Sequence, residues 1–128
     1  LPSFQIASPR KDWERGFDLR DPWSNEFHER ISRALLDILI LARLEEKSMN
    51  GYEITTFLIK KFGITISTSV IYSTLYSMER NGLVKGEEKR RGRVYELTEK
   101  GNKTLEDARS DLKQIQVYIN KVLGKTKC

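Results

Sequence analysis

Apolar residues recur along this chain in several patterns, and each predicts an element. Between Ile31 and Leu44, the residues Leu35, Leu36, Ile38, Leu39, Ile40, Leu41, Ala42 and Leu44 leave almost no polar face. A helix apolar nearly all round is buried on several sides, so this one is expected to be the spine of the core. Upstream, Asp21-Pro22-Trp23 reads as an N-cap followed by Pro at the first helical position, and the helix starts there or afresh near Glu29. Asn50 and Glu53 then have capping-box spacing, and Ile54, Phe57, Leu58 and Phe62 fall on one side of a second helix that Gly63 ends. Ile64-Thr65-Ile66 is short and β-branched and is expected to be extended.

A third helix is predicted over 67–81, capped by Ser67 or Ser69 and ended by Asn81-Gly82. Ile71, Leu75 and Met78 give it a core-facing stripe. Its other side is unusual: Thr68, Tyr72 and Tyr76 follow at intervals of four, flanked by Ser67, Ser69, Ser73 and Arg80. Leu83-Val84 opens a strand, 89–92 turns, and Val94-Tyr95-Glu96-Leu97 returns as the second arm of a hairpin. Thr98 caps a long last helix in which Leu105, Ala108, Leu112, Ile115, Ile119 and Val122 follow at steps of three and four. That is a heptad seam, which needs a partner helix and predicts a homodimer interface formed by these six residues.

The order helix, helix, helix, hairpin, long helix predicts a mainly α fold with a small β-hairpin. This is a winged helix-turn-helix with a long C-terminal dimerisation helix. The expected division is an N-terminal arm over 1–28, a winged helix-turn-helix DNA-binding domain over 29–97, and a dimerisation helix and tail over 98–128. The arm carries Phe4, Ile6, Trp13 and Phe17 among breakers and charges, and is expected to pack on the domain or on a partner subunit rather than to touch DNA through Arg10 and Lys11.

Charge adds to this picture. The chain of 128 residues has a formal charge of +5, unevenly spread. Residues 1–30 hold five basic and six acidic groups, residues 31–97 eleven and eight, and residues 98–128 seven and four. Within the hairpin, Lys89, Arg90, Arg91 and Arg93 crowd around Gly92. Like charges so close repel, and phosphates nearby would relieve them. Arg91 and Arg93 are the first expected DNA contacts, then Lys89 and Arg90, with Glu87 and Glu88 as the alternative partners within a solvated turn. On the helix, the hydroxyls of Ser67, Thr68, Ser69 and Ser73 and the phenols of Tyr72 and Tyr76 can reach phosphates and base edges. Lys60 and Lys61 suit either a backbone contact or a solvated helix end. The helix has no Asn or Gln before Asn81 and no early Arg, so base readout is thin and DNA shape is expected to contribute.

Other chemistry is poorly supplied. His28 is the only histidine and Cys128 the only cysteine, so neither a zinc site nor an intrachain disulfide can form, and a cytoplasmic location is expected. No phosphate-binding Gly-rich loop or membrane-length apolar run is visible, and no signal peptide is expected. No cofactor, enzymatic activity or membrane partner is expected.

Four stretches carry a family resemblance: Gly51-Tyr52-Glu53-Ile54, Ser69-Val70-Ile71-Tyr72-Ser73-Thr74-Leu75, Glu79-Arg80-Asn81-Gly82-Leu83-Val84, and Arg93-Val94-Tyr95-Glu96-Leu97-Thr98-Glu99-Lys100-Gly101. In this order and spacing, over about residues 34 to 123, the chain resembles the PadR family of transcriptional regulators. The resemblance implies a homodimer, the third helix in the major groove and the wing on the flanking backbone or minor groove. It also implies repression that a small-molecule effector relieves in some members. Two departures stand out: Ser73 occupies a position where the family often has Pro, and the last helix has Tyr118 but no Trp. The expected function is thus sequence-specific binding of double-stranded DNA at a pseudo-palindromic site, with repression as the outcome. The competing expectations are a low-specificity architectural DNA-binding protein and a winged-helix protein–protein adaptor.

Overall fold

A computed structural model describes residues 22–62 and 66–124, the side chains of residues 22–25 and 62 excepted. The expectations for residues 1–21, for the Gly63 stop, for Ile64-Thr65 and for 125–128 lie outside the described residues. Helix α1 spans Pro22–Ala34 and α2 spans Leu36–Glu46. The periodicity predicted one unbroken helix through Leu44, but Leu35 stands out of helical geometry at φ −104° and ψ 12°. Just beyond it, the Asp37 carboxylate accepts the N–H of Ile38 at 2.8 Å, a local bond that competes with the helical ladder. Hydrogen bonds from Leu35 N to Ile31 O and from Leu39 N to Leu35 O, at 3.0 and 2.8 Å, keep the two segments linked.

Strand β1 is Met49–Asn50, α3 is Gly51–Phe62, α4 is Thr68–Arg80, β2 is Val84–Lys89, β3 is Gly92–Leu97 and α5 is Glu99–Leu123. The sheet has the order β1-β3-β2, antiparallel throughout. The hairpin register pairs Lys89 with Gly92 around a two-residue tip, Arg90-Arg91. Gly92 takes φ +101°, in the left-handed region where a side chain would be strained. The sequence reading missed β1. Two residues are too few to show a period-two pattern, and the pairings Met49–Tyr95 and Asn50–Val94 are set by tertiary packing.

One core joins every element from α2 on. Leu36, Ile40, Leu41 and Leu44 of α2 meet Ile54 and Leu58 of α3, Ile71, Leu75 and Met78 of α4, Val84 and Tyr95 of the ribbon, and Leu105 of α5. Each such side chain contributes roughly 1.5–3 kcal/mol by leaving water. The expected spine is therefore α2, and its half-buried Ile38, Leu39 and Ala42 flank the same cluster.

The root of α5 is fixed by Thr98, whose hydroxyl accepts from Gly101 N at 2.9 Å and lies 2.6 Å from Gly82 O, to which it donates. A Cβ on Gly101 would collide with the Leu83 carbonyl oxygen, so only glycine lets the first turn lie this close to the ribbon. Arg109 binds both oxygens of Glu45, at 2.7 and 3.2 Å, tying α5 to α2. Beyond Leu112, every residue of α5 is exposed among the described residues.

Candidate nucleic-acid interface

Helix α4 begins at Ser67, whose hydroxyl accepts the N–H of Val70 at 3.2 Å and lies 3.0 Å from the Ser69 hydroxyl. The cap is thus Ser67, and Ser69 supports it. Burying Ile71, Leu75 and Met78 turns the opposite face outward, so Thr68, Ser69, Tyr72, Ser73 and Tyr76 are all exposed. The Ser73 hydroxyl donates to Val70 O at 3.1 Å and Thr74 does the same at 2.8 Å. Arg80 stacks on the Tyr76 ring, 5.2 Å from its centroid. The first turn has no acidic residue, which leaves the positive helix end open to an anion.

Tyr72 is braced from below. A Cβ on Gly51 would collide with the hydroxyl end of the ring, 2.5 Å from Cζ and from the hydroxyl oxygen. The ring therefore sits close against the bare backbone at the start of α3. Tyr52, the residue after Gly51, is largely exposed; it lies in one of the family-like stretches but is not among the DNA contacts expected from the sequence.

The capping box at the start of α3 forms as its spacing predicted: Asn50 N donates to Glu53 Oε1 at 2.9 Å, and Glu53 N donates to Asn50 Oδ1 at 2.8 Å. It also holds the wing. Asn50 Nδ2 donates to Arg91 O at 3.0 Å, and Arg91 Nη1 to Glu53 Oε2 at 3.1 Å.

The ribbon shows how the wing cations are paired. Arg93, with Arg91 the first expected DNA contact, turns its guanidinium toward Glu79 and Glu88. Nη2 reaches Glu79 Oε2 at 2.5 Å, Nε reaches Glu79 Oε1 at 3.3 Å, and Nη1 reaches Glu88 Oε2 at 3.0 Å. The cause is strand parity: Arg93 alternates in phase with buried Tyr95, so it shares the face that looks at α4. Hydrogen bonds from Arg93 hold the Glu79 carboxyl below its ordinary value, and donating to Glu79 and Glu88 holds the Arg93 guanidinium above its own. Lys89 lies 3.5 Å from Glu87. Among the wing cations only Arg90, at the exposed tip, has no carboxylate in ion-pair range among the described residues.

The six seam residues divide. Leu105 is 1% exposed and belongs to the chain's own core, because the first turns of α5 lie against α2 and the ribbon. It is therefore unavailable to a partner. Ala108 and Leu112 are half-buried. Ile115, Ile119 and Val122, together with Val117, Tyr118 and Leu123, are between 45% and 73% exposed. Among the described residues no group of three or more His, Cys, Asp or Glu could hold a metal ion, and no helix is long and apolar enough to cross a membrane.

Three helices, a capped polar helix facing outward and a cationic β-ribbon beside it define a winged helix-turn-helix protein of the DNA-binding class. Comparison with known proteins gives the family. Residues 40–107 match the Transcriptional regulator PadR-like family. A PadR family transcription regulator from Clostridium difficile is 30% identical, with a TM-score of 0.64 over 70% of this chain and 99% of that one. A transcriptional regulator from Clostridium thermocellum is 26% identical (TM-score 0.67, 74% and 96% covered). A PadR-like transcriptional regulator from Bacillus cereus is 25% identical (TM-score 0.68, 76% and 99% covered). No curated protein matches the sequence. The chain belongs to the PadR family, and its function is DNA-binding regulation of transcription.

Proposed function

We propose that this protein is a homodimeric repressor that binds a pseudo-palindromic duplex site. Helix α4 enters the major groove, and residues 89–93 lie on the flanking backbone or minor groove. The observation that carries the reading is the outward face of α4, where Thr68, Ser69, Tyr72, Ser73 and Tyr76 stand exposed opposite a fully buried stripe. Exposed hydroxyl residues are weak helix formers, and a groove-facing role accounts for stacking them there. Ser67 joins them at the helix end. From the wing, Arg90 makes the first phosphate contact, followed by Arg91 and Lys89, which must exchange a carboxylate for a phosphate.

The uncovered apolar end of α5 supports the dimer, with Ile115, Ile119 and Val122 as its centre and Ala108 and Leu112 at its inner edge. A two-fold axis through it repeats α4, so half-sites lie about one helical turn, or a multiple, apart. Selection from random duplexes followed by footprinting tests the reading. One protected pseudo-palindrome, bound roughly 10³-fold or more above random duplex, is the expected result. Equal affinity for every sequence would instead make the protein architectural. A blank gel shift at low salt would leave the adaptor reading.

A further inference from the structure

We propose that Arg93 and Glu79 are positioning residues that lock the wing to the recognition helix, and that Arg93 makes no phosphate contact of its own. This rests on the DNA-binding reading above and names how its two contact elements are held in one geometry. Glu79 is the penultimate residue of α4, and Arg93 sits near the tip end of β3. The bond between them therefore joins the helix meant for the groove to the ribbon meant for the flank. It is a two-point contact, from Nη2 and Nε to the two carboxylate oxygens, which fixes orientation as well as distance. Glu88, directly opposite Arg93 in the hairpin register, holds the third nitrogen at 3.0 Å.

A separate observation shows that the path of the side chain is built in. A Cβ on Gly86 would stand 2.6 Å from Arg93 Nε and 3.0 Å from its Cζ. The guanidinium passes close to Gly86, the one residue of β2 that has no side chain to push it off. A phosphate-seeking arginine needs no such track. Across the ribbon, Asn50 and Glu53 hold Arg91, so the wing is tied to α3 on one side and to α4 on the other.

Removing negative charge from a DNA-binding surface by itself tightens binding. The clamp predicts the opposite sign for Glu79. The probe is the duplex enriched by the selection above, with affinity read by fluorescence anisotropy over a salt series and folding checked by circular dichroism. Glu79→Gln is expected to bind roughly ten-fold or more weakly than the wild type, while Glu87→Gln, which removes the same charge from the ribbon, binds at least as tightly. Arg93→Ala should weaken binding with an unchanged log–log salt slope, since no phosphate contact is lost. Arg93→Lys keeps the charge but not the two-point geometry, and should fall near Arg93→Ala.

Tighter or equal binding by Glu79→Gln overturns the proposal. So does a slope reduced by about 0.9 per removed contact in Arg93→Ala, or wild-type affinity in Arg93→Lys. Failure of the wild type itself to bind any duplex would instead sink the DNA-binding reading.

Discussion

Replacing Gly51 with Ala puts one methyl group where the Tyr72 ring lies. Tyr72 is 42% exposed, so somewhat more than half of its surface is covered. An aromatic side chain buries roughly 150–250 Å² when fully enclosed. At about 25 cal/mol per Å², the covered part contributes about 2–4 kcal/mol. The ring has open solvent on one side, so it can swing off rather than force the backbone apart, and the cost of overpacking stays near its low end of about 1 kcal/mol. Ala in place of Gly in a helix returns up to about 1 kcal/mol. These two terms leave a net loss of stability of about 0–1 kcal/mol. A shift of 1 kcal/mol lowers the midpoint by roughly 4–8 °C in a domain of this size. The effect on DNA should be larger than the effect on folding, because the displaced ring carries the phenol in the middle of the α4 face. Affinity should fall roughly ten-fold or more. A double-mutant cycle on the selected duplex, with thermal melts alongside, isolates the cause. If Gly51→Ala acts through the ring, adding it to Tyr72→Ala costs little more than Tyr72→Ala alone. Additive losses, or wild-type affinity in Gly51→Ala, would refute the reasoning.

Leu105→Ala should cost about 2–5 kcal/mol in urea unfolding, because the side chain is fully enclosed, whereas Ile119→Ala should hardly change unfolding of the monomer at high dilution. Replacing Leu112 and Ile115 together with Glu should give monomers by sedimentation and much weaker binding to the selected duplex; a dimer that survives places the interface elsewhere. Glu45 and Glu79 both have carboxyls lowered from 4.5 by hydrogen bonds from Arg109 and Arg93. Their contribution to stability is full above about pH 4.5 and is lost as pH falls through the lower folded values. Melts in acid should therefore drop less steeply in a Glu45→Gln, Glu79→Gln double variant, and an unchanged acid limb counts against both pairs. Arg90→Ala should lower the magnitude of the salt slope by about 0.9 per subunit, more than Lys89→Ala, whose cation already has a carboxylate beside it.

Apart from the break at Leu35, the elements were legible wherever a pattern ran longer than two turns or two pleats. The Ile71-Leu75-Met78 stripe, the Asn50–Glu53 box and the Thr98 cap all stand where local spacing put them, since each is decided by residues within four positions of one another. The site was legible in part. The hydroxyl face of α4 follows from its buried stripe, but the fate of each wing cation does not. Arg91 meets Glu53 38 positions away and Arg93 meets Glu79 14 positions away. No local rule joins such pairs. A signal for Arg93 was present all the same: it alternates in phase with Tyr95 and Leu97, which points it toward α4 rather than out to solvent. Leu105 shows the reverse error. It fits the heptad spacing of a partner-facing seam, yet the close approach of Gly101 to Leu83 presses this part of α5 into its own core. Spacing along a helix identifies a face without saying which neighbour covers it.

In the proposed complex, the pairing of the wing changes where affinity for DNA comes from. Four cations per subunit, each neutralising a phosphate in a dimer, would give a log–log salt slope of about −7 from the wings alone. A cation that leaves a carboxylate to meet a phosphate uncovers a negative charge. That charge takes up a counterion as the DNA gives one up, so the exchange adds little to the slope. On this accounting only the two copies of Arg90 act at full strength, and the wings contribute about −2. The ribbon then serves less as a source of charge than as a fixed arm, held near its tip by Glu53 on one side and by Glu79 on the other. Such an arm gains by being rigid before DNA arrives, since side chains already held in place lose less freedom on binding. What the paired arginines give up in attraction they return as a fixed separation between helix and wing. In the proposed complex, that separation would let a helix with few base-reading side chains select a site by its shape and half-site spacing.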